Sequence, residues 1–173
     1  MSEHESNIKH YLDAIRSISA VKLAEVGGSS SALTERLIGA IDWATQVHIH
    51  TLMEFSDSIA ESAFDSSVLD AGKYTSVDFE LHKYKGSQTE KLDAMMEAAE
   101  FDAVYVSHAS SMESLLGALL CCHESLRSGG VIALDQSIGA DSQFEKAISS
   151  FHEMYKDDYK AFASDKNFIF VKS

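Results

Sequence analysis

The chain has 173 residues, of which 45% are hydrophobic and 24% charged. That balance suits one globular domain and excludes a disordered or collagen-like chain. With 14 basic against 27 acidic residues the net charge is -13, a surface that repels phosphate backbones and anionic lipids, so neither nucleic acid nor a membrane is an expected partner. No apolar run reaches the ~20 residues of a membrane-spanning helix. The opening Met1-Ser2-Glu3-His4-Glu5 is polar and acidic, unlike a targeting leader. The two cysteines, Cys121 and Cys122, are adjacent, too close for an ordinary disulfide. They read as reduced, small, helix-buried residues, which favours a cytoplasmic setting.

Helix and strand signals alternate along the chain. Ile8, Tyr11, Leu12 and Ile15 form one apolar stripe at helical spacing, so residues 1–18 read as a helix packed on the core. A strand over Ala20–Val26 stops at Gly27-Gly28; three serines follow, then a helix with Leu33, Leu37, Ile38 and Ile41 on one face. Val47–His50 is a second strand, and residues 52–75 hold a helix and a loop. Val77, Phe79 and Leu81 alternate with Asp78, Glu80 and His82, which gives the third strand one wet face and puts it near a sheet edge. Ser87-x-x-Glu90, Ser110-x-x-Glu113 and Ser142-x-x-Glu145 each match a capping box ahead of an apolar stripe. Between these helices, Ala103–Val106 and Val131–Leu134 are short apolar runs of the kind found in central parallel strands. Ala161–Ala163 and Phe168–Val171, separated by Ser164-Asp165-Lys166-Asn167, read as a hairpin. The sum is a three-layer, doubly wound (Rossmann-like), mostly parallel α/β sheet of about seven strands closed by an antiparallel C-terminal hairpin.

In such sheets ligands bind beyond the carboxyl ends of the strands, at the switch point beside the first strand. The turn Gly27-Gly28-Ser29-Ser30-Ser31 lies there, where backbone can approach a ligand closely and a helix amino end favours a polar or anionic group. The same residues also serve a plain strand–helix connection with a serine cap. His108, after the fourth strand, lies at the mouth of the expected cleft and is suited to general-base work. His48 and His50 share one strand face, but no third ligand is fixed by the sequence and no metal is expected. His4, His10, His82, His123 and His152 read as surface or helix positions. Glu90, Asp93, Glu97, Glu100 and Asp102 read as a solvated face.

The stretch Glu25-Val26-Gly27-Gly28-Ser29-Ser30-Ser31 resembles the first motif of class I S-adenosylmethionine-dependent methyltransferases: an acidic residue, an aliphatic one, then Gly-x-Gly-x-Gly. Phe101–Val106 is similar to that family's fourth strand, and Leu126–Asp135 to its Gly-Gly passage into the fifth. Lys85-Gly86-Ser87-Gln88 resembles the turn that lies over the adenine. The closest subgroup is the small O-methyltransferase-like proteins, and the resemblance covers residues 8–173. It implies one methyltransferase-type domain over 1–173 that binds S-adenosylmethionine and transfers its methyl group to an oxygen or nitrogen acceptor. By the same resemblance Glu25, Gly27, Gly28, Ser29 and Ser31 would hold the methionine and ribose side, with Ser107 beside them. His50, Thr51 or Glu54 would take the ribose hydroxyls, and Gly86, Ser87 and Gln88 would border the adenine. His108 or Asp135 would be the catalytic base.

The sequence also departs from the family pattern. Ser29 and Ser31 replace two motif glycines, and the strand-two acid is absent. Ser107-His108 stands where metal-dependent members carry an Asp, and Asp135-Gln136 where they often carry Asp-Asp, so no catechol-type metal site is expected. These losses motivate an alternative: a catalytically inactive methyltransferase-like binding or partner protein. Only residues 54–76 could form a substrate-capping insertion, which points to a macromolecular or partner-completed acceptor, or to none; the acceptor, small molecule or otherwise, is unspecified. A homo-oligomer is left open.

Overall fold

Aliphatic and β-branched runs supply five parallel strands, β1 (Lys22–Gly28), β2 (Gln46–Met53), β3 (Asp78–Lys85), β4 (Phe101–Val106) and β5 (Leu126–Leu134). The computed structural model describes residues 3–55, 57–161 and 168–173, with all side chains among these except those of residues 3, 4 and 88–90. Two further strands, β6 (Tyr159–Ala161) and β7 (Ile169–Lys172), pair antiparallel, and β7 also runs antiparallel to β5. The residues between them, including the expected Ser164–Asn167 turn, lie outside the described residues. The sheet order is β3-β2-β1-β4-β5-β7-β6, so the chain reverses direction across the sheet between β1 and β4. Every residue of β4 is buried, as a central strand covered on both faces requires. β3 is the edge strand that its alternating pattern indicated.

Helices α1 (Glu3–Ser17), α2 (Ala32–Ala40) and α3 (Ser58–Gly72) cover one face, where Tyr11, Ile15, Leu37 and Ile38 pack on Leu23, Ile49 and Tyr105. Helices α4 (Gln88–Glu97) and α5 (Met112–Ser125) cover the other. They are joined there, after the single-turn α6 (Gln136–Gly139), by α7 (Glu145–Met154). In α5 the stripe Leu115, Ala118, Leu119 and Cys122 is buried; each of its leucines contributes about 2–3 kcal/mol through burial. Both cysteines are free thiols, Cys122 buried and Cys121 half-buried.

The helix starts differ from the expected capping boxes by a residue or a partner. α5 is capped by Ser111, not Ser110, and its box closes with Ser114 rather than an acid. Ahead of α7 it is Asp141, not Ser142, that accepts the Gln143 N–H and starts a single 3-10 turn. Ser87 occupies the N-cap position of α4, while the Glu90 side chain lies outside the described residues.

Two residues read as carrying no message, Asp102 on a solvated face and His123 at a surface or helix position, are structural. The Asp102 carboxylate accepts the N–H groups of Val21 and Lys22, at 2.8 and 2.9 Å, and pairs with Arg127 Nε. It therefore ties the start of β1 to β4 and β5 instead of lying on a solvated face. His123 stacks on Tyr155 with ring centroids 3.8 Å apart and places Nδ1 2.9 Å from the Tyr159 hydroxyl, fastening α5 to the C-terminal strands. Replacing Asp102 with Ala strands two backbone donors and a guanidinium. Urea denaturation is expected to show a loss of about 3 kcal/mol relative to the unaltered chain.

Candidate functional site

The site begins with the backbone of the β1 turn. Gly27 has φ of +80°, and a Cβ there would lie 2.3 Å from the His108 carbonyl oxygen. Only glycine allows both the left-handed backbone and the close approach of the two loops at the switch point. A Cβ on Gly28 would in turn meet the Glu25 carboxylate at 2.3 Å. The glycine pair thus makes room for protein on the inside and leaves the outside open.

Two hollows adjoin across this turn. The first, about 440 Å³, is bordered by Ile8, Glu25, Tyr105, Ser107 and Asp135. The second, about 330 Å³, is bordered by Met53, Glu54, Gly86, Ser87 and Ser114. Gly27, Gly28, Ser29 and His108 line both, so they form one elongated cleft with the turn as its middle. Ser29 and Ser30 are exposed at its rim and do not fill it. A wider concavity of about 1050 Å³ opens at the amino ends of the strands beside Trp43 and Tyr74. It lies away from the switch point, and the Trp43 indole N–H is already donated to the Ala20 carbonyl.

Under the first hollow lies a buried polar cluster. Glu25 is 4% exposed, and its Oε1 accepts the Ser107 hydroxyl at 2.7 Å. Its Oε2 is buried with no hydrogen-bond partner among the described residues. Burial, opposed by the Ser107 hydrogen bond and reinforced by Asp135, raises the Glu25 pKa to about 7. Asp135 is fully employed: Oδ1 accepts the Ser137 N–H and hydroxyl, and Oδ2 accepts the Tyr105 hydroxyl at 2.9 Å. Helix α1 closes the cluster from the side. Asn7 donates to the Leu134 carbonyl at 2.9 Å, and the Tyr11 ring meets Tyr105 edge-on at 5.0 Å.

The remaining residues singled out from sequence fall in different places. Glu54 is exposed and borders the second hollow. His50 does not reach it. That ring is 5% exposed within the sheet, stacked on His82 with centroids 4.2 Å apart and 3.2 Å from the Tyr84 hydroxyl through Nδ1. Burial first, then the neighbouring His82 and His48, lowers its pKa to about 4, so it is a neutral stacking partner. Thr51 is buried on the opposite face. Ser31 precedes α2 and donates its hydroxyl to Glu35 at 2.8 Å, outside the lining of both hollows. The Gln88 side chain lies outside the described residues. Sequence reading missed Asn7, Tyr11 and Tyr105, whose apolar stripes concealed their polar ends, and Ile8, brought to the cleft only by the docking of α1.

The raised Glu25 pKa carries a stability consequence. Below the ordinary 4.5 the carboxyl is neutral whether folded or unfolded. Between 4.5 and about 7 the unfolded chain releases the proton and the folded chain keeps it, so stability falls as pH rises. Glu25→Gln removes that fall: the stability of the variant relative to the unaltered chain is expected to improve by roughly 3 kcal/mol between about pH 4 and pH 8 in denaturant titrations.

No family model matches the sequence, and no curated protein matches it as a relative. Solved structures do match its shape. A Streptomyces achromogenes O-methyltransferase involved in tomaymycin synthesis, crystallised with S-adenosylmethionine, superposes with a TM-score of 0.67 at 20% identity, over 100% of this chain and 81% of its own. A Bacillus cereus O-methyltransferase in complex with S-adenosylhomocysteine gives 0.65 at 15% identity, over 100% and 82%. An S-adenosylhomocysteine-bound methyltransferase of Podospora anserina gives 0.67 at 13% identity, over 99% and 79%. The seven-stranded sheet with its reversed last strand, and helices on both faces, is the fold of these methyltransferases.

Proposed function

We propose that the cleft binds S-adenosylmethionine and that the chain transfers its methyl group to an oxygen or nitrogen of a small-molecule acceptor. The observation that carries this reading is the partnerless, buried Glu25 Oε2 at one end of a cleft whose other end is bordered by the exposed carboxylate of Glu54. A ligand that fits has a cation at one end and hydroxyl donors toward the other. S-adenosylmethionine has an ammonium and a ribose diol so arranged, and bound there it supplies an electrophilic sulfonium methyl.

The chain's own residues then have distinct tasks. Ser107 holds Glu25 Oε1 and leaves Oε2 to face the ammonium. Gly27, Gly28 and Ser29 present backbone along the middle of the cleft, and Glu54 accepts from the ribose hydroxyls. Gly86 and Ser87 border the base, with Gln88 next in sequence. Asp135 is a positioning residue, since its oxygens already hold α6 and Tyr105. Proton acceptance therefore falls to His108, exposed at the junction of the hollows, where a ring nitrogen can take the acceptor's proton. The open rim beside Ser29 and Ser30 supports a working cofactor site over an inactive partner protein.

Calorimetric titration with S-adenosylhomocysteine tests the reading; no heat at millimolar ligand with folded protein overturns it. Because Glu25 must be ionised to face a cation, affinity is expected to rise about tenfold from about pH 6 to pH 8. Glu25→Gln is expected to weaken binding and to flatten that dependence. With an accepted substrate in hand, His108→Gln should lower kcat by about 100-fold or more, with S-adenosylhomocysteine affinity changed less than about twofold.

A further inference from the structure

The sheet brings together a second set of chemistry-bearing residues, outside the lining of the cleft. β2 and β3 run parallel with His48 in register with Glu80 and His50 in register with His82. Side chains two residues apart share a face, so all four lie on one side of the edge-strand pair, across the middle of the two strands. His48 Nδ1 and His82 Nε2 are 3.2 Å apart. The carboxylate of Glu80 straddles them, with Oε2 3.4 Å from His48 Nδ1 and Oε1 3.4 Å from His82 Nε2.

We propose that His48, Glu80 and His82 form a binding site for a divalent cation of the zinc class. A tetrahedral zinc ion bound at about 2.0–2.1 Å holds its ligand atoms about 3.3–3.4 Å apart, and the separations here are 3.2–3.4 Å. One ligand atom from each residue can be chosen so that all lie within 4.8 Å of one another. Three lone-pair donors converge, and a proton on one nitrogen serves only one of the contacts at a time; a shared cation satisfies all of them. Two imidazoles and one carboxylate are the ligand types that zinc takes. The side chains of His48 and His82 are 29% and 33% exposed and that of Glu80 is 50% exposed, which leaves a fourth position open to water. His50 supports the set from within. Its ring stacks on His82 at an interplanar angle of 14°, and Tyr84 holds His50 in turn, so His82 is aimed before any ion arrives. An ion there bridges β2 to the edge strand β3. The spacing His48-x-His50 does not itself make the site: His50 is the backing ring, and the second imidazole comes from the next strand.

Equilibrium dialysis of the untagged, chelator-treated full chain against zinc chloride tests this, with bound metal counted per chain and cobalt(II) as a visible-absorption probe of tetrahedral ligation. The expected result is one saturable zinc per chain, a tetrahedral cobalt spectrum, and a thermal midpoint that rises with zinc concentration. His82→Asn and His48→Asn are each expected to weaken zinc binding by at least the roughly tenfold that even an outer-shell change costs, and to abolish the cobalt bands. Should either imidazole prove needed for folding, the half-exposed Glu80→Gln gives the same comparison in a chain whose circular dichroism is unchanged. Absence of bound zinc above the dialysis background overturns the proposal. So does zinc binding that none of the three substitutions weakens.

Discussion

Gly27 and the His108 carbonyl approach each other at the one place where the sheet changes direction, with no room for a side chain between them. The contact draws the β1 and β4 loops together below the cleft, so both hollows share one floor made of backbone. A side chain at Gly27 would need a strained φ and would push the His108 loop away. The position of His108, and with it the meeting of the two hollows, depends on this approach. Gly28 performs a related service on the other side by leaving space for the Glu25 carboxylate.

That carboxylate shows how the fold keeps a polar group available. A buried carboxylate without full hydrogen bonding is costly, and burial holds Glu25 near neutrality with a pKa of about 7. Ser107 satisfies one oxygen and nothing described satisfies the other. Nearby, Asp135 is in the opposite condition, with both oxygens supplied with donors from Tyr105 and Ser137. Two acids in one pocket are thereby divided, one with an oxygen left open and the other used as a brace.

The architecture was legible because the periodicities are clean. The fully buried β4 and the alternating β3 read as a central and an edge strand from their residues alone, and the glycine pair marked the switch point. Helix starts were less legible, because Ser110-Ser111 and Asp141-Ser142 each offer two adjacent caps and packing decides between them. Asp102 was misread because its partners, the Val21 and Lys22 amides and Arg127, are far away in sequence. The site was half legible. Glu25, Gly27, Gly28, Ser29, Glu54, Ser107, His108 and Asp135 line the cleft, yet His50 sits three residues short of the strand end and Ser31 turns to Glu35. The Glu80 and His82 pairing depends on inter-strand register, which a single strand's sequence does not carry.

The docking of α1 distinguishes the two hollows. Its wall residue Ile8 borders the first hollow and not the second, and the Asn7 amide ties the helix to the carboxyl end of β5 at Leu134. Changes along this one helix therefore reshape the first hollow, while the second, which Ile8 does not line, keeps its walls.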